Sequence, residues 1–446
     1  MWITKWLLKL NFKIKGLNAF KRYDELLDNE KLNSEELIIL QNKKIEEFVK
    51  YCYDNVPYYK ELFDDNQINP ADIKTKFDLK KIPLLTKEII RNNSEKLISN
   101  KFKIDELTKT NTSGSTGKPV SLYSGDNRKI NLIAGLWRIY SRSGWKPGEN
   151  IAYLWGFKGG ENVNKKFSQT LKERIAGATY LSAWKSNDDD FKNWYKEIKK
   201  NKSTIIVCYA STGSRFAKWL IDNDLKLSKI KGIYCTSEKL YEYQKVLIRK
   251  AFDCNVYNLY GCGEVNHIAC TCNEGSMHIN PDMVVVELGD INDNGDTPFV
   301  LTGFTNRAMP FLRYVNGDAG SLIDKTCSCG LKTPLMDLSV SRLSDIFTFN
   351  DGKKYPSLYF ILQLYCDGLE GIELFQFHQD KIDHIFLYIV KNNMFNENTE
   401  LKMLNIVKEI EKHINNKATV TIEYKDYIAQ SISSKHYYAK SDVKDV

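Results

Sequence analysis

No run of apolar residues in this chain reaches the roughly 18 that a membrane-spanning helix needs, so the sequence predicts a soluble protein. Nor is charge of either sign gathered into a block. Lysine and arginine total 64 against 56 aspartates and glutamates, and the excess of eight is spread along 446 residues. That leaves no concentrated basic face for nucleic acid and points at most to small anionic ligands. The N-terminal MWITKWLLKLNFKIKGL mixes basic and apolar residues but lacks the compact apolar core and small-residue cleavage site of a signal peptide. The cytoplasm is the expected compartment, and contact with a membrane surface is the other use of such an amphipathic segment. Internal repeats and low-complexity tracts are absent as well. The ten cysteines do not fall at the even spacings of a small disulfide scaffold; five of them lie between Cys262 and Cys329. In a cytoplasmic chain that clustering argues for metal or function before disulfides.

What the chain does have is length enough for two or more cores, and a pattern that changes along it. Asn33 stands three residues before Glu36, the spacing of a capping box. Leu37, Leu40, Ile45, Phe48, Val49 and Cys52 follow at helical intervals until Pro57, which predicts one long helix ended by that proline. From Ser203 the β-prone runs STIIVCY, KGIYCT and CNVYNLY alternate with amphipathic segments, the second of which carries Leu240, Tyr243, Val246, Leu247 and Ala251 on one side. This βαβαβ order predicts a parallel sheet. Ligands of such sheets sit beyond the carboxyl ends of the strands, where this sequence has Ser237-Glu238 and then YGCGE, Tyr260 to Glu264. From Met283 to Ile323 the runs MVVVEL, PFVLTGF and FLRYV, broken by Gly, Asn and Asp, predict an antiparallel subdomain. Past SVSRLSDIF, two strands in IELFQFHQDKIDHIFLYIV, a helix in NTELKMLNIVKEIEKHINN and a strand in ATVTIEYKD predict a small unit of their own. The expected fold class is α/β. A large N-terminal domain of parallel sheet layers plus the antiparallel subdomain covers residues 1–343, and a small, mobile α+β domain covers 344–446.

The stretch TNTSGSTGKPVSLY, residues 110–123, crowds hydroxyls, glycines and a lysine ahead of a β-prone run. A Walker-type phosphate loop opens on Gly and puts a hydroxyl after its Lys, but Thr112 and Pro119 hold those places here. The kinase-type reading therefore fails. A hydroxyl-rich glycine loop of another kind still wraps phosphates with backbone N–H groups, hydroxyls and one cation; alone, it reads equally as an inert turn. It does not stand alone. Thr112 to Gly117, followed downstream by YGCGE, YVNGDAG and SRLSD, resembles in order and spacing the signature loops of the adenylate-forming superfamily of acyl-CoA synthetases, luciferases and peptide-synthetase adenylation domains. VPYYKELF and IPLLTKEIIRNN narrow the resemblance to the branch of phenylacetate-CoA ligases and capsule-biosynthesis proteins, and it covers nearly the whole chain.

That resemblance implies roles for individual residues. Thr112, Ser113, Gly114, Ser115, Thr116, Gly117 and Lys118 would grip the β- and γ-phosphates of ATP. Ser237 and Glu238 would lie along the adenine, on which Tyr260, next to Gly261, would stack. Glu264 would hold Mg²⁺, a sound use of carboxylate for a hard cation. Asp318 would accept both ribose hydroxyls, and Arg342 would stand at a hinge. Each alone has a plainer use: Asp318 as turn chemistry, Tyr260 as core, Glu264 as a solvated acid. The sequence departs from the family pattern twice. Ser341 replaces the usual Gly before the hinge arginine, which implies a stiffer hinge. The catalytic lysine, often after Gly near the end of the chain, is matched by Lys435 after Ser434, with Lys440 as its rival.

The crowded cysteines fall in CTCNEGSMHI, after the Glu264 loop, and CSCG, after the Asp318 loop. Three thiolates and an imidazole suit tetrahedral Zn²⁺, and a C-x-C-G turn leaves amides free to hydrogen-bond sulfur. Cys272, His278, Cys327 and Cys329 are the expected ligands of a structural ion, with Cys270 in reserve; the other reading is two unrelated pairs of thiols. Cys262 is expected to line the acyl pocket, together with AYLWGF and ATYLSAW. The implied reaction is attack of a carboxylate on the α-phosphorus of MgATP, loss of pyrophosphate, and transfer of the acyl group from its adenylate, with Thr116, Glu264 and Lys435 catalytic. Coenzyme A is the first expected acceptor and the amine of an amino sugar the second; a non-catalytic ATP-binding scaffold is the reading from another class. Nucleic acid is not an expected partner.

Overall fold

A computed structural model describes residues 8–9, 12, 16–111, 120–155, 177–183, 188–291, 297–340, 346–352, 354–356, 360–361, 363–364, 371–428 and 438–443. The chain divides into two compact units, Met1–Val340 and Ser341–Val446. Among the described residues no helix is long and apolar enough to cross a membrane.

The first unit opens with helices α1 (Ala19–Asn29), α2 (Ser34–Asn55) and α3 (Pro57–Asp65). The capping box forms as the spacing requires: the Asn33 side chain accepts from the Glu36 amide and the Glu36 carboxylate accepts from the Asn33 amide. Pro57 does more than end α2. It occupies the first turn of α3, where a missing N–H costs nothing and a fixed φ suits the helix.

A short hairpin of β1 (Thr108–Asn111) and β2 (Ser121–Ser124) leads into α4 (Asp126–Ser141). Strands β3 (Ile151–Trp155), β4 (Ala178–Ser182), β5 (Ile205–Cys208), β6 (Gly232–Thr236) and β7 (Asn255–Cys262) pair in parallel. All four residues of β5 are buried, which is why this strand reads as an unbroken apolar run rather than an alternating one. Helices α5 (Asp188–Lys200), α6 (Ala210–Asp222) and α7 (Glu242–Phe252) cover the sheet through a core that includes Trp194, Phe216, Leu220 and Ile248. The line that α7 buries is Gln244, Ile248 and Phe252, and Val246 is 59% exposed. The apolar face expected of this helix is therefore turned by about one residue: Leu247 and Ala251 flank the buried line while Val246 looks away from it.

After β7 the chain turns back through β8 (Asn266–Thr271) and β9 (Met277–Ile279), then forms β10 (Val284–Leu288), β11 (Pro298–Gly303), β12 (Phe311–Ile323) and β13 (Leu335–Val340). The region from Met283 is antiparallel, as its turns imply, yet it is continuous with the parallel strands. All of β3 to β13 form one eleven-stranded sheet in the order β10-β11-β12-β13-β9-β8-β7-β6-β5-β3-β4. Helices α2 and α3 pack on its antiparallel half through Phe48, Val49, Phe63 and the strand residues Val285, Leu301 and Leu312.

The second unit holds β14 (Ile346–Thr348) and β15 (Lys354–Pro356), then β16 (Ile372–Lys381), β17 (His384–Lys391), α8 (Glu397–His413), β18 (Thr419–Tyr424) and β19 (Ala439–Ser441). The last four strands form a sheet in the order β18-β17-β16-β19. Phe377, Leu387 and Ile389 meet Met403, Ile406 and Ile410 of α8 in its core.

Candidate active site

Strand β7 ends in the YGCGE loop, which turns the chain into β8 with Cys262 opposite Asn266. A Cβ at Gly261 would lie 2.3 Å from the Asn266 carbonyl oxygen, so only glycine fits this crossing. The turn presents Glu264, 8% exposed, whose Oε1 accepts a 2.8 Å hydrogen bond from the Tyr314 hydroxyl. Arg128 of α4 donates to the Gly263 carbonyl and fixes the turn from the other side. Burial, and then the Glu264 charge, push the Cys262 thiol well above the usual range. It stays protonated at neutral pH and is unsuited to act as a nucleophile.

Asp318 lies on β12, not in a free turn. Gly317, at φ +87°, and a break in the pairing with β13 after Ala319 interrupt the strand at that point. Asp318 Oδ2 accepts from the Tyr260 hydroxyl at 2.9 Å and from Asn316 Nδ2 at 2.8 Å. The Asp318 amide donates to Asn316 Oδ1, and Asn316 Nδ2 also donates to the Tyr260 oxygen. Burial and the Asp318 charge hold the Tyr260 phenol well above its ordinary pKa, so it remains a donor.

The two acids are thus held reciprocally. Tyr260 and Glu264 belong to the β7 end, Tyr314 and Asp318 to β12, and each tyrosine grips the acid of the other strand. In the sheet β12 and β7 are separated by β13, β9 and β8. Four strand spacings amount to roughly 19 Å in a flat sheet, so these hydrogen bonds require the sheet to curl until its members face each other.

Ser237 follows β6 in the left-handed region, at φ +68°. It brings Glu238 to the N-terminus of α6, where the carboxylate accepts from the Ser211 amide at 2.9 Å and meets the positive end of the helix.

The cysteine-rich segments also converge. The ligand atoms of Cys272, His278, Cys327 and Cys329 all lie within 4.8 Å of one another, a set that could hold a metal ion. Cys272 Sγ is 3.6 Å from Cys327 Sγ, and Cys329 Sγ is 3.3 Å from His278 Nε2. Nδ1 of His278 pairs with Thr333 Oγ1 at 2.8 Å, which fixes the ring, and the Cys329 amide points to Cys327 Sγ. Cys270 is not part of the group; it packs in the apolar core with Trp137 and Tyr140.

No family model matches the sequence. Over 414 residues the chain is 26% identical to protein CapK of Staphylococcus aureus, spanning 92% of this chain and 90% of that one. Over 352 residues it is 24% identical to a phenylacetate-coenzyme A ligase of Thermus thermophilus, spanning 74% and 75%. The fold matches the crystal structure of 2-hydroxyisobutyryl-CoA ligase in its postadenylation state, with a TM-score of 0.73 at 15% identity over 93% of this chain and 91% of the other. The chain is thus similar over most of its length to CapK and the phenylacetate-CoA ligases, and it shares the fold of 2-hydroxyisobutyryl-CoA ligase.

Of the residues that the adenylate-forming resemblance singles out, Thr112 to Lys118, Arg342 and Lys435 lie outside the described residues, as does Ser341. Lys440 is described, on β19 in register with His378 of β16. Asn316, Tyr314 and Arg128 are the site residues that sequence reading missed. Only Asn316 had a local signal, standing two residues before the acid; the other two act across distances that no spacing encodes. Tyr260 gains a part not foreseen for it, because its hydroxyl orients Asp318 whatever its ring contacts.

Proposed function

We propose that this protein uses ATP to convert a carboxylic acid into an acyl-adenylate and then passes the acyl group to the thiol of coenzyme A. The observation that carries the reading is the reciprocal grip on Glu264 and Asp318, two acids fixed 54 residues apart in sequence by each other's tyrosines. One suits Mg²⁺ and the other the two ribose hydroxyls, so together they would fix a nucleotide at both ends. The relatives add to this: they are named phenylacetate-coenzyme A ligases, and the neighbouring structure holds an acyl-AMP.

In this reading Thr112, Ser113, Gly114, Ser115, Thr116, Gly117 and Lys118 wrap the β- and γ-phosphates. Ser237, Glu238, Tyr260 and Gly261 border the adenine, Asp318 takes the ribose, Glu264 takes Mg²⁺ and Arg342 stands at the hinge. Lys435, with Lys440 as rival, bridges carboxylate and α-phosphate. The protein contributes position and charge, and needs no covalent intermediate.

Cys272, His278, Cys327 and Cys329 would hold a structural Zn²⁺. Ligand bonds of about 2.0 to 2.3 Å at tetrahedral angles separate donor atoms by roughly 3.5 to 3.8 Å, close to the sulfur–sulfur and sulfur–nitrogen distances here. Four protein ligands leave no position for water, and the ion would tie the segment after Glu264 to the segment after Asp318.

CapK shares a longer stretch with this chain than the phenylacetate-CoA ligases do, and the resemblance of the sequence to the capsule-biosynthesis branch implies a second acceptor: the amine of an amino sugar in polysaccharide assembly, acylated in the cytoplasm. Pyrophosphate release from ATP with a panel of aryl, amino and short aliphatic acids, with and without coenzyme A or amino-sugar nucleotides, tests both. Acid-dependent exchange is expected. ATP binding without exchange for any acid would make the protein a scaffold instead.

A further inference from the structure

A cavity of about 230 Å³ opens in the first unit. Arg22 of α1, Lys44 of α2, Asn127, Ile130 and Asn131 of α4, Asp282, and Phe304, Thr305 and Arg307 between β11 and β12 line it. One oxygen of Asp282, Oδ2, is matched inside the protein by Arg138 Nη1 at 2.7 Å and by Asn29 Nδ2 at 2.8 Å, while Oδ1 is buried without a hydrogen-bond partner among the described residues. Three cations, Arg22, Lys44 and Arg307, line the cavity against this one carboxylate. Arg22 gives Nε to Asn131 and Nη1 to Glu25, which is 47% exposed on the solvent side. The Arg307 guanidinium lies over the Tyr51 ring, 5.0 Å from its centre. Neither Arg307 nor Lys44 makes a side-chain hydrogen bond or ion pair among the described residues. Burial and then the nearby Arg22 charge lower the Lys44 pKa, while Asp282, Glu47 and Glu25 act the other way.

A half-buried lysine with no hydrogen bond or ion pair of its own among the described residues, its pKa lowered by burial and by the charge of Arg22, shares a cavity with the exposed Arg307 and gains from an anion placed among them. The donors left over suit a phosphate group, the Arg307 guanidinium and the Lys44 ammonium around a space larger than one phosphate, while Asn131 is engaged with Asn127 and Arg22. The cavity's walls are linked by hydrogen bonds to the YGCGE turn and the start of β8. Arg128, beside Asn127 on α4, donates to the Gly263 carbonyl, and Thr305 accepts from Asn266 Nδ2, two residues past Glu264.

We propose that this cavity is a phosphate-binding subsite for the acceptor substrate. The acceptor assignment rests on the function proposed above; the phosphate chemistry does not. Both acceptors considered carry phosphate, coenzyme A at its ribose and diphosphate and an amino-sugar nucleotide at its diphosphate.

The test uses the full chain, with the ATP site blocked by saturating non-hydrolysable ATP analogue, and titrates inorganic phosphate by calorimetry. The wild type is expected to bind, and Lys44→Met combined with Arg307→Gln to bind at least tenfold more weakly, whereas Lys44→Arg keeps binding. In turnover the double variant should raise the KM for its acceptor about tenfold while acid-dependent pyrophosphate exchange stays at the wild-type level. If the rise is seen with coenzyme A but not with 3′-dephospho-coenzyme A, the ribose phosphate of coenzyme A is the occupant; if it is seen with an amino-sugar nucleotide, the diphosphate is. Equal phosphate affinity in the wild type and the double variant overturns the subsite, and loss of phosphate binding with every acceptor KM unchanged overturns its assignment to the acceptor. Absence of pyrophosphate exchange in the wild type would sink the catalytic reading and leave the phosphate titration to decide the cavity on its own.

Discussion

Asp318 is the residue on which nucleotide binding should turn. Tyr260 and Asn316 orient one of its oxygens, so the carboxylate is aimed before any ligand arrives. Replacing Asp318 with Ala removes a charged acceptor for two hydroxyls, and ATP affinity is expected to fall by about 1.5 to 3 kcal/mol, as hydrogen bonds to a charged group go. Calorimetry with a non-hydrolysable ATP analogue checks this, and unchanged affinity would take Asp318 out of the site. Asn316→Ala should act in the same direction but less strongly, because it leaves the charge and removes only its alignment. In both variants the preference for ATP over 2′-deoxy-ATP should shrink, and a preference unchanged from the wild type would contradict the ribose assignment.

At the scale of elements, β9 with its flanking turns is the piece that a metal ion would complete. His278 on β9 and Cys272 just after β8 meet Cys327 and Cys329 from the connection between β12 and β13. Freshly purified, reduced protein is expected to contain about one zinc per chain, and replacing Cys327 and Cys329 with Ser should lower the melting temperature before it changes any rate. Elemental analysis and a thermal melt read this out, and zinc-free protein with a melting temperature unmoved by the Ser changes would refute it. The elements themselves were largely legible in the sequence. Parallel strands announce themselves as short apolar runs, and the Asn33–Glu36 cap marks its helix by spacing alone. What was not legible was how far the sheet continues, since nothing local in MVVVEL or FLRYV says that these strands join β9 and, through it, the parallel half. The face of α7 was misread for a related reason: Val246 and Ile248 are equally apolar, and only the packing on β6 and β7 chooses between them.

For the whole molecule, the question is which half of the reaction each lysine near the C-terminus serves. If Lys435 aligns the carboxylate with the α-phosphate, Lys435→Ala should lose adenylation by on the order of 10² in rate or more. Transfer from a synthetic acyl-adenylate needs no such alignment and should survive. Acid-dependent pyrophosphate exchange and single-turnover transfer measure the two halves separately. Normal exchange in Lys435→Ala together with its loss in Lys440→Ala would move the role to Lys440, and no loss in either would remove the lysine from the mechanism. The sequence motifs pointed to a nucleotide site as a set, but the hold of Tyr260 and Tyr314 on its two acids could not be seen there, because those partners are set by the curvature of the sheet and not by any interval along the chain.

The reciprocal grip of Tyr260 and Tyr314 also says something about the order in which this protein comes together. Each acid can be formed by local chain, one at a hairpin turn and one on a strand, yet neither meets its tyrosine until strands separated by three others have bent to face each other. Contacts of such long loop closure form slowly and late. On refolding from urea, the far-ultraviolet circular dichroism of helices and strands should therefore recover ahead of binding to a fluorescent ATP analogue. A chain caught between those two events would have its secondary structure and no hold on nucleotide, so ligand would favour only the last step of assembly and would act as a lock on the finished molecule rather than as a template for it.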